Sequence, residues 1–103
     1  MARLLVLYAT PDDPAAFDKH YAETHVPLVQ KIPGLKKFEL SSGPVVMPLG
    51  PSSFHLVATL SFDSMESLQT AMASPEGRAA GEDATDNLLA PGSQLLMFDT
   101  REA

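Results

Sequence analysis

Cysteine is absent from this chain of 103 residues. Disulfides, thiolate nucleophiles and thiolate metal sites are therefore excluded, and the fold has to be stabilised by packing. Long apolar runs are absent as well, since the run from Leu4 to Leu7 is far shorter than the roughly 20 residues that cross a bilayer. We expect no signal peptide, no membrane partner and a cytoplasmic location.

Positive charge is scarce. The chain has 7 basic and 13 acidic side chains and a formal net charge of -6 at pH 7. This balance opposes binding to nucleic-acid phosphates and to anionic membranes unless the few cations cluster. Lys31, Lys36 and Lys37 form the only local group of cations, and it lacks interleaved aromatic residues. We therefore expect no nucleic-acid partner.

Several motifs of known chemistry are also missing. The chain has no glycine-rich phosphate loop and no serine in a nucleophile elbow. His20 and His25 are five residues apart, which places them about 140° apart around an α-helix and excludes the one-face pair of the i, i+4 metal signature. No Asp or Glu completes a convincing ligand set. The sequence predicts no metal and no tightly held cofactor.

The first half of the chain alternates between periodic segments and turn residues. Apolar residues on both faces of the first run indicate a strand covered on two sides, and Pro14 fits the first turn of the helix that follows. The predicted elements are a strand over Leu4–Tyr8, a helix from Asp12 or Asp13 to about His25, a strand over Leu35–Ser42 and a loop over Gly43–Ser53.

The second half begins with a run of strict apolar and polar alternation, which is typical of a strand. The predicted elements are a strand over Phe54–Phe62, a helix capped by Asp63 or Ser64, a helical piece from Ser74 to about Leu88 and a strand over Ser93–Asp99. The order β-α-β-β-α-β predicts an α+β, ferredoxin-like domain over residues 1–103, with a four-stranded antiparallel sheet and the helices on one face.

The second face of that sheet has no helix to cover it. Val57 and one set of residues from each of the first and last strands supply apolar side chains to this face. A bare apolar patch of this size usually marks an interface. We expect a homodimer in which two sheets pack face to face.

One face of the first predicted helix carries the best candidate for a site. Its members share helical offsets and are Phe17, Tyr21, Thr24, His25 and Leu28. His25 is the candidate acid–base group because an imidazole titrates near neutral pH. The alternative is a structural His that closes the helix end. Tyr21 is either a donor to a substrate oxygen or a core residue with a polar tip.

Three further residues complete the predicted pocket for a small apolar molecule. Tyr8 and Met97 lie on the first and last strands, and His55 lies on the polar face of its strand, directed at the space inside the predicted dimer. A solvated His and a core-filling Met are the alternatives. Glu39 is a weaker candidate for a base or an imidazole partner, since surface carboxylates are usually solvated.

Several of these segments resemble the EthD family. The similarity is carried by Leu5–Tyr8, Phe17–Leu28, Ile32–Leu35, the strand around His55, and the stretch from Ser64 to Gly77. Its most specific part is Tyr21–Leu28, followed closely by Ile32-Pro33-Gly34. Position 20 is His where such proteins more often have an aromatic residue. The resemblance implies a dimeric α/β-barrel built from two ferredoxin-like subunits.

The resemblance also implies a poorly defined activity. The wider superfamily contains cofactor-free monooxygenases, haem-degrading enzymes, lactone isomerases and proteins without established activity. The first hypothesis is an enzyme or auxiliary protein that binds or transforms a small apolar organic molecule without a tightly held cofactor, with His25 as acid–base group and Tyr21 as orienting donor. The alternatives are a non-catalytic ligand-binding or structural dimer, and haem binding or degradation.

Overall fold

The main sheet contains four antiparallel strands. A computed structural model describes all 103 residues. The chain runs through β1 (Ala2–Ala9), α1 (Pro14–His20), a π-helical turn (Tyr21–His25), α2 (Val26–Gln30), β2 (Lys37–Leu40), β3 (Val46–Met47), β4 (Gly50–Pro51), β5 (Phe54–Phe62), α3 (Met65–Ala73), α4 (Pro75–Asn87) and β6 (Gln94–Asp99). The strand order β2-β5-β1-β6 is that of the ferredoxin-like fold and confirms the prediction.

The core lies between the sheet and the helices. Strand side chains alternate between two faces, so every second residue of β1 points the same way. Leu4 and Val6 are buried and pair across the sheet with Leu60 and Ala58 of β5. These residues form one cluster with buried residues of α3 and α4, among them Leu68. The alternation of apolar and polar residues in Phe54–Phe62 therefore correctly predicted which face of β5 belongs to the core.

Side-chain caps fix where three of the helices begin. Asp13 accepts a hydrogen bond from the backbone N–H of Ala16, which selects it over Asp12 as the first cap. Ser64 caps α3, and Ser74 caps α4 by accepting from the backbone N–H of Gly77. Each cap satisfies one of the unpaired N–H groups of a helix start.

The first helical segment does not end near His25, as the sequence analysis expected. It continues through the π-helical turn into α2 and ends at Gln30. The backbone N–H of Val26 bonds to the carbonyl of Tyr21, five residues earlier. Pro27 has no N–H, and in a regular α-helix its ring would clash with the preceding turn. The wider π turn just before it accommodates the ring, so the proline does not terminate the helix.

One other expectation requires correction. The predicted loop over residues 43–53 contains the short hairpin of β3 and β4, and its residues Val46, Met47 and Leu49 are exposed. Every residue of β6, whose centre is apolar on both faces, is exposed. It is an outer strand of the sheet and pairs with β1 alone. None of the helices combines the length and apolar character that crossing a bilayer requires.

Gly77 lies where α4 begins and packs closely against the end of α3. A Cβ atom at this position would overlap the carbonyl oxygen of Ala71 and lie 2.9 Å from the Cα of Met72. Both obstacles are backbone atoms, which cannot move aside as a flexible side chain can. The close approach of the two helices therefore depends on glycine at this position.

Substitution of the two glycines of α4 should have opposite effects on stability. We expect Gly77→Ala to lower the free energy of unfolding by about 1–3 kcal/mol through overpacking. Gly81→Ala is the matched control, because a Cβ there meets no atom outside its own helix within 4 Å. It should raise stability by about 1 kcal/mol through helix propensity. Urea denaturation measures both, and a harmless Gly77→Ala would contradict the packing described here.

Candidate functional site

The π-helical turn brings two histidines to one carboxylate. His20 Nε2 lies 2.8 Å from Asp83 Oδ1, and His25 Nδ1 lies 2.9 Å from Asp83 Oδ2. The expectation that these imidazoles could not share a side, based on α-helical geometry, was wrong. In a π-helix the hydrogen bond spans five residues, so residues five apart lie one above the other.

Asp83 was missed by the sequence analysis. It lies on α4, 58 residues beyond His25 in sequence, and also accepts a hydrogen bond of 3.0 Å from Asn87 Nδ2. Its position between the buried Ala80 and Ala84 was the available signal. An acidic side chain beside the inner stripe of a helix tends to be paired, because burying an unpaired charge is unfavourable.

The pKa values define the protonation states of this pair. Burial acts to raise the pKa of Asp83, but hydrogen bonds from His20, His25 and Asn87 hold it below its usual range. An ionised carboxylate only accepts hydrogen bonds, so His25 Nδ1 carries the hydrogen. Burial lowers the pKa of His25 against the opposing effect of Asp83. His25 is therefore neutral near pH 7, and the lone pair on its Nε2 is an acceptor that faces the Tyr8 hydroxyl.

Two tyrosines, Tyr8 and Tyr21, lie beside the His25 ring. The Tyr8 hydroxyl lies 3.5 Å from His25 Nε2, and the rings of Tyr8 and Tyr21 meet edge to face with centroids 5.5 Å apart. Burial raises the pKa of Tyr8 to about 12 and raises that of Tyr21 still further. Both phenols are therefore neutral hydrogen-bond donors. The Tyr21 hydroxyl is buried and interacts with the Tyr8 hydroxyl, but it makes no hydrogen bond of good geometry within the protein.

These side chains line a cavity of about 70 Å³ between the sheet and the helices. The rest of its wall is almost entirely apolar and includes Val6, Val29, Ile32, Ala58, Leu60, Ala80, Ala84 and Leu95. One water needs only about 10–15 Å³ measured in this way. The cavity is therefore large enough for several waters or for part of a small organic molecule, since a cavity of about 150 Å³ is known to bind benzene.

The structure brings together three of the five predicted site residues. Tyr8, Tyr21 and His25 line this one cavity, whereas His55 and Met97 do not. Met97 is half-exposed on β6, and the strand contributes Leu95 to the cavity instead.

His55 was expected to face the space inside a dimer, and its contacts contradict this. Its Nε2 lies 2.7 Å from Asp18 Oδ1, and its ring meets the Phe17 ring edge to face with centroids 5.1 Å apart. Both partners belong to α1. The β1–β5 register shifts after Tyr8, and this irregularity at the strand start redirects the side chain. Glu39 is exposed and lies 3.6 Å from Lys37, also an exposed side chain.

The site fits neither a metal ion nor a haem. No group of three or more His, Asp or Glu side chains is arranged to hold a metal. His25 Nδ1 is engaged by Asp83, and its Nε2 faces the Tyr8 hydroxyl. A cavity of about 70 Å³ is also smaller than a porphyrin. The residues here suit a small organic ligand better.

Comparison with known sequences finds relatives along nearly the whole chain. The family model for the EthD domain matches residues 10–92. An uncharacterized 11.0 kDa protein from the thcB-thcC intergenic region of Rhodococcus erythropolis is 40% identical over 102 residues, which cover 99% of this chain and 96% of that protein. The crystal structure of an EthD family protein from Bacillus halodurans has 39% identity and a TM-score of 0.87, covering 98% of this chain and 99% of that one.

More distant structures share the fold. SnoaB, a cofactor-independent oxygenase from Streptomyces nogalater, has 16% identity and a TM-score of 0.68, with 99% of this chain and 94% of that chain covered. A dimeric ferredoxin-like protein of unknown function from Thermobifida fusca has 14% identity and a TM-score of 0.71, with coverages of 96% and 90%. These likenesses confirm the ferredoxin-like fold, and the protein from Thermobifida fusca is described as a dimer.

The buried imidazole should make stability depend on pH near neutrality. Burial places the pKa of His25 below the ordinary 6.5. Between these two values the unfolded chain binds a proton that the folded chain does not, so the free energy of unfolding falls as the pH falls through this window. The pKa of Asp83 lies below its ordinary 3.8 in the folded protein, which adds a second loss in stronger acid.

Urea denaturation over a pH series measures this dependence. We expect the native protein to lose stability as the pH falls below 6.5, the ordinary pKa of histidine. In His25→Gln the free energy of unfolding should fall less over this pH range. The matched variant of a less buried histidine, His55→Gln, should show the same fall as the native protein. An unchanged slope in His25→Gln would show that His25 does not determine the loss.

Proposed function

This chain belongs to the EthD family, and we propose that it binds a small, mostly apolar organic molecule and moves a proton to or from it through His25 Nε2. The observation that carries this proposal is the pair of Asp83 and His25. His25 Nε2, in a long contact of 3.5 Å with the Tyr8 hydroxyl, lies at a cavity whose lining is almost entirely apolar, beside the buried Tyr21 hydroxyl. No tightly held cofactor is required for a proton transfer.

Asp83 and His25 are arranged so that His25 can act as a general base. The Asp83 carboxylate holds the Nδ1–H tautomer of His25 and stabilises the imidazolium that forms when Nε2 takes a proton. His20 and Asn87 donate to the same carboxylate and fix its orientation. A base held in this way, with its neutral form favoured by burial, is ready to accept a proton near pH 7.

The lining of the cavity indicates the chemistry of the ligand. No Lys or Arg lines it, so a carboxylate or phosphate would be buried without a counter-charge. The Tyr21 hydroxyl is a neutral donor without a hydrogen bond of good geometry in the protein. We therefore propose an uncharged ligand with one oxygen atom, such as a ketone or a phenol, which accepts a hydrogen bond from Tyr21.

Proton abstraction beside a carbonyl accounts for the roles of both side chains. The C–H bond breaks, the proton goes to His25 Nε2, and the electron pair moves onto the carbonyl oxygen, where Tyr21 stabilises the developing charge. Return of the proton to another carbon atom would be an isomerisation. Interception of the enolate by dioxygen would be an oxygenation of the kind named for SnoaB.

Deuterium exchange tests the base without knowledge of the natural substrate. Cyclohexanone and acetophenone in D₂O exchange their α-hydrogens slowly, and proton NMR follows the loss of signal. We expect the native protein to accelerate this exchange and His25→Gln to lose about 100-fold or more of the acceleration. Tyr21→Phe should lose less, because it keeps the base and removes only the donor.

Thermal melting of the same variants separates this function from a purely structural role. A catalytic His25 predicts loss of exchange in a variant that is still folded at the temperature of the assay. If the native protein gives no exchange above buffer, and both variants only lower the melting temperature, the site stabilises the junction of helix and sheet and does no chemistry.

We also propose that the chain forms a homodimer through the open sheet face. Leu96 and Phe98 of β6 are exposed, and lie on this face opposite Leu5 and Arg3 of β1. The Arg3 Nη1 atom is buried without a hydrogen-bond partner. An apolar outer strand beside an unpaired guanidinium nitrogen calls for a partner surface that supplies apolar area and an acceptor. Dimeric ferredoxin-like proteins among the structural neighbours support this arrangement.

Leu96→Asp should dissociate that dimer, because a carboxylate would be buried in an apolar contact. We expect the dimer to weaken by about 100-fold or more, measured by sedimentation equilibrium. Ala79→Asp places the same charge on the exposed side of α4 and serves as control. A native protein that sediments as a monomer, or a Leu96→Asp variant that stays dimeric, would exclude this face as the interface.

A further inference from the structure

The cavity comes close to the outer surface of the protein between α3 and α4. Met72 of α3 and the two glycines of α4, Gly77 and Gly81, line the cavity and also line a depression on the outer surface of the protein. No other residue is shared by the two spaces. The inside of the site and the solvent are therefore separated here by one methionine side chain and two residues without side chains.

The two glycines differ in what their surroundings demand. Gly77 is buried, and a Cβ would overlap the backbone of α3. Gly81 is exposed, has no positive φ angle, and has open space where a Cβ would stand. Glycine in the interior of a helix is less stable than alanine. Neither packing nor backbone geometry therefore explains why position 81 lacks a side chain.

A second observation indicates that a molecule from outside occupies the cavity. Tyr21 is 4% exposed and lines the same space, and its hydroxyl makes no hydrogen bond of good geometry in the protein. Buried hydroxyls in folded proteins are nearly always hydrogen-bonded. An acceptor brought in by a ligand would satisfy this group, and such a ligand needs a way in.

We infer that small ligands reach the cavity between α3 and α4, past Met72, and that the missing side chain at Gly81 sets the width of this opening. Met72 is half-buried and flexible, so its side chain can turn aside. Arg78, Glu82 and Asp86 surround the opening with more negative than positive charge, which does not attract anions. The inference deepens the proposed function and rests on it for the neutral chemistry of the ligand.

The absence of cysteine allows a test that needs no natural ligand. Ala58 is 1% exposed on the sheet side of the cavity, so Ala58→Cys places the only thiol of the protein inside it. Methyl methanethiosulfonate is the small probe and benzyl methanethiosulfonate the large one, and mass spectrometry follows the rate of modification. Each probe is applied to Ala58→Cys alone and with a second substitution on α4.

Narrowing the opening should slow the modification of the thiol in Ala58→Cys. Adding Gly81→Leu should reduce the rate with the methyl reagent by about tenfold or more, as expected for an added steric barrier. Ala79→Leu, an exposed position on α4 outside both spaces, should leave the rate unchanged. Gly81→Ala should give an intermediate rate and carries the test if the leucine variant does not fold. The benzyl reagent should react more slowly than the methyl reagent even with Gly81 present.

Two results would overturn the inference. Equal rates in the Gly81→Leu and Ala79→Leu backgrounds would place the route elsewhere. Rates that do not depend on the size of the reagent would show that the thiol is reached by unfolding. Labelling of the thiol does not involve the base. If Gly81→Leu slows labelling but the native protein catalyses no deuterium exchange, the inferred opening stands and only the proposed proton transfer is wrong.

Discussion

The carboxylate of Asp83 connects the first helical segment of this protein to α4. One oxygen accepts from His20 and Asn87 and the other from His25, so the α1 end, the π-helical turn and α4 meet at a single charge. A largely buried carboxylate is stable only when its partners are in place. The interaction that positions the candidate base is therefore also the one that holds the first helical segment against α4.

Local patterns were sufficient to predict most of the fold. The strict alternation of Phe54–Phe62 predicted β5 with its correct core face. Helices α3 and α4 begin where the sequence analysis expected, with Ser64 and not Asp63 as the cap of α3 and Ser74 as the cap of α4. The features that failed depend on distant contacts. Asp83 is far from His25 in sequence, and no local rule pairs two such positions.

The sequence predicted only part of the candidate site, for a related reason. The spacing of His20 and His25 excludes a common face only if the helix is a regular α-helix throughout. A single wide turn from Tyr21 to His25 changes the angular step, and the chain carries no sequence signal that distinguishes it from the α form. Pro27, which suggested a helix end, is better understood as a residue that the wide turn accommodates. Sequence therefore identified Tyr8, Tyr21 and His25 but not the carboxylate that unites the site.

The cavity itself is an argument for function. In a domain of 103 residues, a hydroxyl buried without a partner destabilises the fold by about 1–3 kcal/mol. The apolar cavity adds to that loss, because the atoms that line it lack protein contacts on one side. Either defect could be removed by a Phe at position 21 or by larger side chains in place of Ala80 and Ala84, which line the space. A ligand that fills the space and accepts a hydrogen bond from Tyr21 would offset both, so the same groups that weaken the empty protein would make its ligand complex more stable.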